Sequence, residues 1–301
     1  MVIPTYNCAS FLRETLASVI AQDLGPERME IIVVDDCSNE DNPKAIVDSI
    51  KQRNIQFYQH QVNVGKSANY SKGISLSKGH YIHLLHGDDT VNKGFYAQME
   101  ALFNENPEAS ASFCRCSYIN AKNEIVGETR LISNSKGIID DFVMQIAIWQ
   151  LIQPPSIVFK RHVYETIGSY DMRLRYIEDW EFYVRASNFF KFAYVPKILA
   201  NYRIFDGNSS SKSMQGGKRV ATLHQVIKII DGYLPQEIIS KIRPKRNEAV
   251  AKYLLNFIPS LMANKDLKGL IITTKAFSKY NSNLRLWGRW LKFIIGYKKY
   301  H

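Results

Sequence analysis

Three short polar clusters each follow an apolar run, and their residue types suit a nucleotide and a divalent cation. Pro4-Thr5-Tyr6-Asn7 closes the first run and Asp35-Asp36-Cys37-Ser38 the second. A carboxylate such as Asp36 can accept a hydrogen bond from the N–H of a base, and a nearby aromatic can stack on the ring. Asn7 and Ser38 also stand just before predicted helices, and taken alone each fits an N-cap better than a ligand. The third cluster, Leu84-Leu85-His86-Gly87-Asp88-Asp89, ends an apolar strand with two adjacent carboxylates. Buried like charges lose hydration and repel, so they call for a positive group beside them. Mg²⁺ or Mn²⁺ meets that need, being held by one or two carboxylates and completed by water and phosphate oxygens. Capping of the next helix by Asp88 and Asp89 is an equal reading of the same residues. A fourth acidic pair, Glu178-Asp179, opens a predicted helix, whose positive end favours an ionised carboxylate.

Such clusters need a scaffold that brings distant positions together. Extended runs alternate with helical patterns from the start: Val2-Ile3, a helix around Phe11 to Gln22, Glu30 to Asp35, a helix around Pro43 to Lys51, Gln56 to His60, a helix around Ser67 to Ser77, then Tyr81 to Leu85. Ile/Val-rich strands in this order predict an α/β fold with a mostly parallel sheet flanked by helices, and ligands at the strand C-terminal ends. Ala111 to Tyr118 and Glu124 to Gly127 read as strands around an Asn120–Asn123 turn, Ile138 to Leu151 as a helix, Ile157 to Phe159 as a strand and Glu178 to Ser187 as a helix. Phe205 to Gly217 has loop composition, and a mainly helical C-terminal region follows. The first strand is short, with Met1 two residues ahead of Ile3, which leaves room for an earlier start.

Taken together, MVIPTYN, VVDDCS, NVGKSANYSKGIS, YIHLLHGDD and YIEDWEFYVRAS occur in the order and spacing of the family 2 nucleotide-sugar glycosyltransferases. The chain resembles that family over roughly residues 1–210. The resemblance implies a GT-A fold in which the nucleoside, usually uridine, lies against Pro4, Tyr6 and Asn7, and Asp36 reads the base. It implies that Asn63, Gly65, Lys66 and Asn69 pass the nucleotide, and that Gly87, Asp88 and Asp89 belong to the motif holding Mn²⁺ or Mg²⁺ on the diphosphate. It places the catalytic base within the Glu178-Asp179 pair; Asp179, kept ionised by the positive end of the predicted helix, is expected to be the base, with Glu178 in support and able to orient the acceptor, and attack by the activated hydroxyl would invert the anomeric centre. Two positions depart from the pattern. His86 stands where relatives carry an acid, leaving Asp88 as the direct ligand and Asp89 as its neighbour. Phe205 stands where many carry a histidine after Tyr202-Arg203. Arg203 and Ser209 to Ser211 offer diphosphate contacts, although loop composition explains the serines equally well. Gln153 to Ser156 and Gly168 to Asp171 match acceptor-facing segments, and Trp149, Tyr176 and Trp180 could stack on sugar rings or fill a core.

The charge is unevenly shared. Residues 1–200 hold 20 basic and 23 acidic side chains, residues 201–301 hold 19 and 5, and the whole chain carries +11. With the resemblance implying a catalytic domain over 1–210, this division suggests that the basic helical region over 211–301 associates with a membrane. From Arg285 to Lys299, Arg285, Arg289, Lys292 and Lys299 share one side of a helix, and Leu286, Trp287, Trp290, Leu291 and Ile294 the other, as in a helix lying in a headgroup layer. Packing of that apolar side on the body is the competing reading. The uncharged stretch Phe142 to Phe159 is interrupted by Gln145, Gln150, Gln153 and Pro154-Pro155, so no membrane span is expected. Cys8, Cys37, Cys114 and Cys116 make no disulfide framework, and no leader pattern opens the chain. The expectation is a cytoplasmic enzyme, peripheral at the inner face of the cell membrane. It would use a nucleotide-sugar donor, a UDP-sugar, and a glycan or lipid-linked glycan acceptor. A catalytically silent scaffold in a glycan assembly complex is the alternative. No basic, aromatic-interleaved motif points to nucleic acid, and no G-x-G-x-x-G follows a strand.

Overall fold

The computed structural model describes residues 1–51, 54–205 and 217–300. The chain forms two compact units, one of residues 1–142 and 151–205, the other of residues 143–150 and 206–301.

In the first unit, β1 (Val2–Thr5), β2 (Ile32–Asp35) and β3 (Gln56–Gln59) pair in parallel in that order. The connecting helices are α1 (Ala9–Ile20), α2 (Pro43–Ser49) and α3 (Lys66–Leu76). Ile3, Leu12, Leu16 and Val33 are fully buried between strands and helices, as the apolar spacing requires. β4 (Tyr81–His83) continues the sheet beside β1: Val2 bridges Leu84 in parallel, and the N–H groups of Leu85 and Gly87 donate to Val2 O and Pro4 O, each at 3.0 Å. Pro4 is tolerated in this interior strand because its missing N–H faces the stretch after β4, where pairing has thinned to the Gly87 contact. All four strands point their C-terminal ends the same way, so the polar clusters at positions 4–7, 35–38 and 86–89 share one edge.

Beyond β4 the sheet runs β4-β9-β6-β10-β5, with β5 at Thr90–Val91, β6 at Ala109–Ile119, β9 at Ile157–Lys160 and β10 at Lys191–Arg203. β9 is antiparallel to β4 and to β6, whereas β10 is parallel to β6. The parallel part of the sheet is thus built from the β-α-β alternation of the first 85 residues, and the strands beyond it are mixed. β7 (Ile125–Glu128) returns against β6 through the expected turn, in which Asn123 takes φ 66° and Asn120 Oδ1 accepts from Lys122 N–H and Glu124 N–H. Residues expected to form one helix from Ile138 to Leu151 instead open with β8 (Gly137–Ile138) on β10 and leave only α5 (Phe142–Ile146). The backbone at Asp141 adopts φ 49°, a left-handed turn that separates the two. The helices α4 (Phe95–Glu105), α6 (Arg161–Ile167) and α7 (Glu178–Ser187) complete the unit, and α7 has the bounds read from sequence.

The second unit contains α8 (Lys218–Tyr233), α9 (Gln236–Leu255), α10 (Ile258–Ala263), α11 (Leu267–Tyr280) and α12 (Leu284–Tyr300). No helix among the described residues is long and apolar enough to cross a membrane. Leu286 is buried, Trp287 meets the Phe277 ring edge-on at 4.9 Å, and Trp290 Nε1–H donates to Thr274 Oγ1 at 3.3 Å. The two tryptophans expected to be interfacial therefore pack against α11. Among the described side chains of α12, the exposed apolar ones are Leu284, Leu291 and Ile295. The Lys299 side chain and Ser209 to Ser211 lie outside the described residues.

Candidate functional site

Asn7 and Ser38 tie the first two strand ends together. Asn7 adopts φ 50°, its Oδ1 accepts from the N–H of Asn39 and Glu40 at 2.9 and 3.1 Å, and its own N–H donates to Ser38 Oγ at 2.9 Å. Neither residue caps a helix: Asp41 Oδ2 takes the first N–H of α1, from Ala9, at 2.6 Å, and Asn42 caps α2 through Ala45 N–H. Asp35 is consumed internally by Ser38 and Gln59. Asp36, in contrast, receives the start of α3: Val64 N–H donates to Oδ1 at 2.7 Å and Gly65 N–H to Oδ2 at 3.0 Å. Gly65 sits at φ 85°, which gives it the freedom this turn demands. Burial raises the Asp36 pKa, opposed by those two N–H groups. Each oxygen keeps a further lone pair for a base N–H, and Tyr6, 44% exposed, is accessible for stacking. Asn63 Nδ2 donates to Asp36 O, and buried Asn69 donates to Val34 O, so both residues brace the segment that carries Lys66.

In the third cluster, ligand atoms of His86, Asp88 and Asp89 lie within 4.8 Å of one another. Gly87 is buried between them and α1; a Cβ there would come within 2.8 Å of Cys8 Sγ, so packing dictates the glycine. Capping by Asp88 and Asp89 does not occur, since α4 begins only at Phe95 behind Gly94. Instead Arg203, fully enclosed, braces the pair. Its backbone N–H donates to Asp89 Oδ1 at 2.8 Å, its Nε–H to Asp88 O at 2.7 Å, and its other nitrogens to Asn120 O, Asn123 Oδ1 and Glu14 Oε2. The guanidinium also lies 4.6 Å from the Phe11 ring centroid, and Phe205 packs on Phe11 at 4.9 Å. Arg203 thus holds the acidic motif from behind, and the expected diphosphate contact by this side chain gives way to a structural one.

The electrostatics of this cluster suit a cation. Burial pushes Asp88 up to about 6, against its own backbone N–H, Arg203 and Lys66. Burial, then the charge of Asp88, pushes Asp89 well above the carboxylate range. Burial, then Lys66, pushes His86 down to about 3, so its ring is neutral and can ligate. Asp89 Oδ2 and His86 Nε2 are buried without a hydrogen-bond partner. Two carboxylates and one neutral imidazole, with Asp89 Oδ2 and His86 Nε2 left open, fit a divalent cation in charge and donor set, the carboxylates being the donors that Mn²⁺ or Mg²⁺ prefers.

Glu178 and Asp179 occupy the first turn of α7, presented by Ile177 at φ 62°, a strained conformation for a β-branched residue. The two acids separate by environment. Glu178 is buried and its Oε1 meets Lys66 Nζ at 2.9 Å, while Asp179 remains partly exposed and its Oδ1 accepts from Trp180 N–H at 2.9 Å. Burial opposes the charge on Lys66, but Glu178 and then Asp179 outweigh it and raise the pKa. Lys66 acts on Asp88 and His86 as well. One ammonium therefore reaches both the cation cluster and the acidic pair. This juxtaposition, between residues 112 positions apart, has no local signature in the sequence. Trp180 is buried in the core and Trp149 packs on Tyr253 in the second unit, whereas Tyr176 is partly exposed, with Lys66 Nζ 5.4 Å from its ring. Ser169 is tied to α3 by Ser71 at 2.9 Å, and Arg185 donates to Ser169 O, fixing the segment ahead of the acidic pair.

Residues 1–168 match the model described as Glycosyl transferase family 2. An uncharacterized glycosyltransferase of Mycoplasma genitalium is 33% identical over 97 residues, covering 31% of this chain and 33% of that protein, so the match spans about a third of the relative. The minor teichoic acid biosynthesis protein GgaB of Bacillus subtilis is 31% identical over 108 residues, 35% of this chain and 12% of GgaB. Among solved structures, S. aureus TarS 1-349 in complex with UDP-GlcNAc has a TM-score of 0.60 at 16% identity, covering 93% of this chain and 90% of that one. The mannosyltransferase PcManGT from Pyrobaculum calidifontis, in complex with GDP-Man and Mn²⁺, has a TM-score of 0.58 at 15% identity, covering 99% and 84%. At these identities the likeness establishes the fold, which is of GT-A type.

Proposed function

The chain belongs to glycosyl transferase family 2, and from that premise we propose that it moves a sugar from a nucleotide sugar to a hydroxyl of a glycan acceptor, inverting the anomeric centre. The observation that carries this reading is the single ammonium of Lys66 set between the His86, Asp88 and Asp89 cluster and the Glu178-Asp179 pair. A nucleotide at the strand ends would stack its base beside Tyr6 and donate to Asp36, with its diphosphate directed toward Asp88. A bound Mn²⁺ or Mg²⁺, held by Asp88 with His86 and Asp89, would supply neutralisation of the diphosphate leaving group. Asp179 accepts the proton of the acceptor hydroxyl, whose oxygen then attacks the anomeric carbon from the face opposite the leaving diphosphate.

UDP is the favoured nucleotide on two grounds: the motif order, and the UDP-GlcNAc held by TarS. The GDP-Man held by PcManGT makes GDP the comparison. The match to GgaB supports a surface polysaccharide as the product class. A lipid-linked acceptor at the cytoplasmic face of an anionic membrane would suit residues 201–301, with their 19 basic and 5 acidic side chains. Calorimetric titration of UDP and GDP, with and without Mn²⁺, tests the donor reading. Binding of one nucleotide that strengthens with the metal supports it, and binding of neither removes it.

A further inference from the structure

Two cations act on the acidic motif at Asp88, and they differ in freedom. Arg203 is enclosed and spends its donors on Asp88 O, Asn120 O, Asn123 Oδ1 and Glu14. Lys66 stands on the first residue of α3, its side chain one third exposed, on a stem with rotatable bonds and an ammonium whose partner is one oxygen of Glu178. The other Glu178 oxygen, Oε2, is buried without a hydrogen-bond partner. Glu178 is thus held by an ion pair that leaves one acceptor open, directly beside Asp179.

We propose that Lys66 is exchanged between two partners: with no donor bound it neutralises Glu178, and when a nucleoside diphosphate binds, its ammonium moves to the phosphate oxygens and releases Glu178 to accept the acceptor hydroxyl. This rests on the donor reading above and adds an order of events to it. The carboxylates that would hold a divalent cation already offset its charge, so a bound diphosphate still calls for a counter-charge, and Lys66 is a partly exposed cation whose charge already acts on Asp88. A buried carboxylate deprived of its counter-ion is costly unless a donor replaces the lost contact. The arriving acceptor hydroxyl is such a donor, so nucleotide and acceptor should each strengthen the binding of the other by the same factor.

The exchange makes the two halves of one ion pair behave oppositely. In calorimetric titrations of UDP with Mn²⁺, Lys66→Gln should weaken binding about tenfold, the effect of losing one charge-assisted hydrogen bond. Glu178→Gln should tighten binding several-fold, because Lys66 no longer has to leave a buried carboxylate. Uridine, which lacks phosphates, should bind both variants as it binds the wild type, and that control also shows that the variants are folded. If both substitutions weaken UDP binding, or neither changes it, the pair is a static brace and the exchange is wrong. Equal loss of uridine and UDP in Lys66→Gln would likewise overturn it. Absence of UDP and GDP binding to the wild-type protein would instead remove the donor reading on which the exchange depends.

Discussion

Arg203 touches both acids of the cation cluster through backbone groups, its own N–H binding Asp89 Oδ1 at 2.8 Å and its Nε–H binding the carbonyl of Asp88 at 2.7 Å, while its charge favours the ionised form of both carboxylates. The end of β10 thereby fixes the loop after β4. Because the buried guanidinium donates to Asp88 O, Asn120 O, Asn123 Oδ1 and Glu14 Oε2, Arg203→Met would remove four part-buried side-chain hydrogen bonds at once. The expected loss is about 2–4 kcal/mol of stability by urea denaturation, with a weaker Mn²⁺ titration in the folded protein.

Asp88 and the support from its neighbours can be separated by substitution. Asp88→Ala should abolish the strengthening of nucleotide binding by Mn²⁺ and leave the metal-independent component, as read by titration with and without EDTA. Unchanged metal dependence in Asp88→Ala would place the cation elsewhere.

Packing of α3 on the sheet supplies a control outside the chemistry. Gly73 lies so close to β1 and β2 that an added Cβ would meet Val2 Cγ1 at 2.3 Å and Val34 Cγ2 at 3.1 Å. Gly73→Ala should cost about 1–3 kcal/mol through overpacking, seen as a lower urea midpoint, while Asp88 retains its metal response.

His83 gives the fold a dependence on pH. Its ring is buried, with Nε2 3.1 Å from Pro155 O, and burial pushes its pKa from 6.5 down to about 3. Between those values the unfolded chain binds a proton that the folded chain does not, so stability falls as the pH drops below about 6.5. From pH 6.5 to pH 5 this one group accounts for about 2 kcal/mol. Urea midpoints of wild type and His83→Gln at pH 7 and pH 5 measure the effect. The variant should lose less on acidification, and an equal loss would assign the acid sensitivity to other groups.

The outward side of α12 carries Leu284, Leu291 and Ile295, and Arg285, Arg289 and Lys292 lie along the same exposed helix. If the chain binds an anionic membrane as proposed, replacing those three apolar residues by serine should reduce co-sedimentation with vesicles of phosphatidylglycerol about tenfold or more, since each would bury an aliphatic side chain in the headgroup boundary. Trp290→Ala should instead act through stability, because its ring is held by Thr274. The reverse pattern would contradict attachment through this side.

The strands β1, β2 and β4 and the helix α7 were legible because each carries its own periodicity and ends on a polar cluster. Their common edge followed from parallel β-α-β alternation. The thirteen-residue strand β10 was not legible, since KFAYVPKILANYR mixes polar and apolar residues and draws its burial from β6 and β5. Asn7 was ambiguous because an Asn before a helix suits a cap or a loop tie equally, and only the position of residues 38–40 decides. The contacts of Lys66 with Glu178 and of Arg203 with Asp88 span more than a hundred residues, and sequence spacing says nothing about such pairs. In α12, the wheel identified an amphipathic helix but not which of its apolar residues α11 would cover.

The role of Asp179 tests the central claim most directly. Release or transfer of labelled sugar from UDP-sugars and GDP-Man should be followed with Mn²⁺, for wild type and Asp179→Asn, beside UDP and GDP titrations of both proteins. Wild type should turn over one donor class, and Asp179→Asn should lower turnover about a thousandfold while nucleotide affinity stays nearly unchanged. Full turnover in Asp179→Asn would contradict its assignment as the base, and absence of turnover in the wild type with every donor and acceptor supplied would contradict the glycosyl-transfer reading itself.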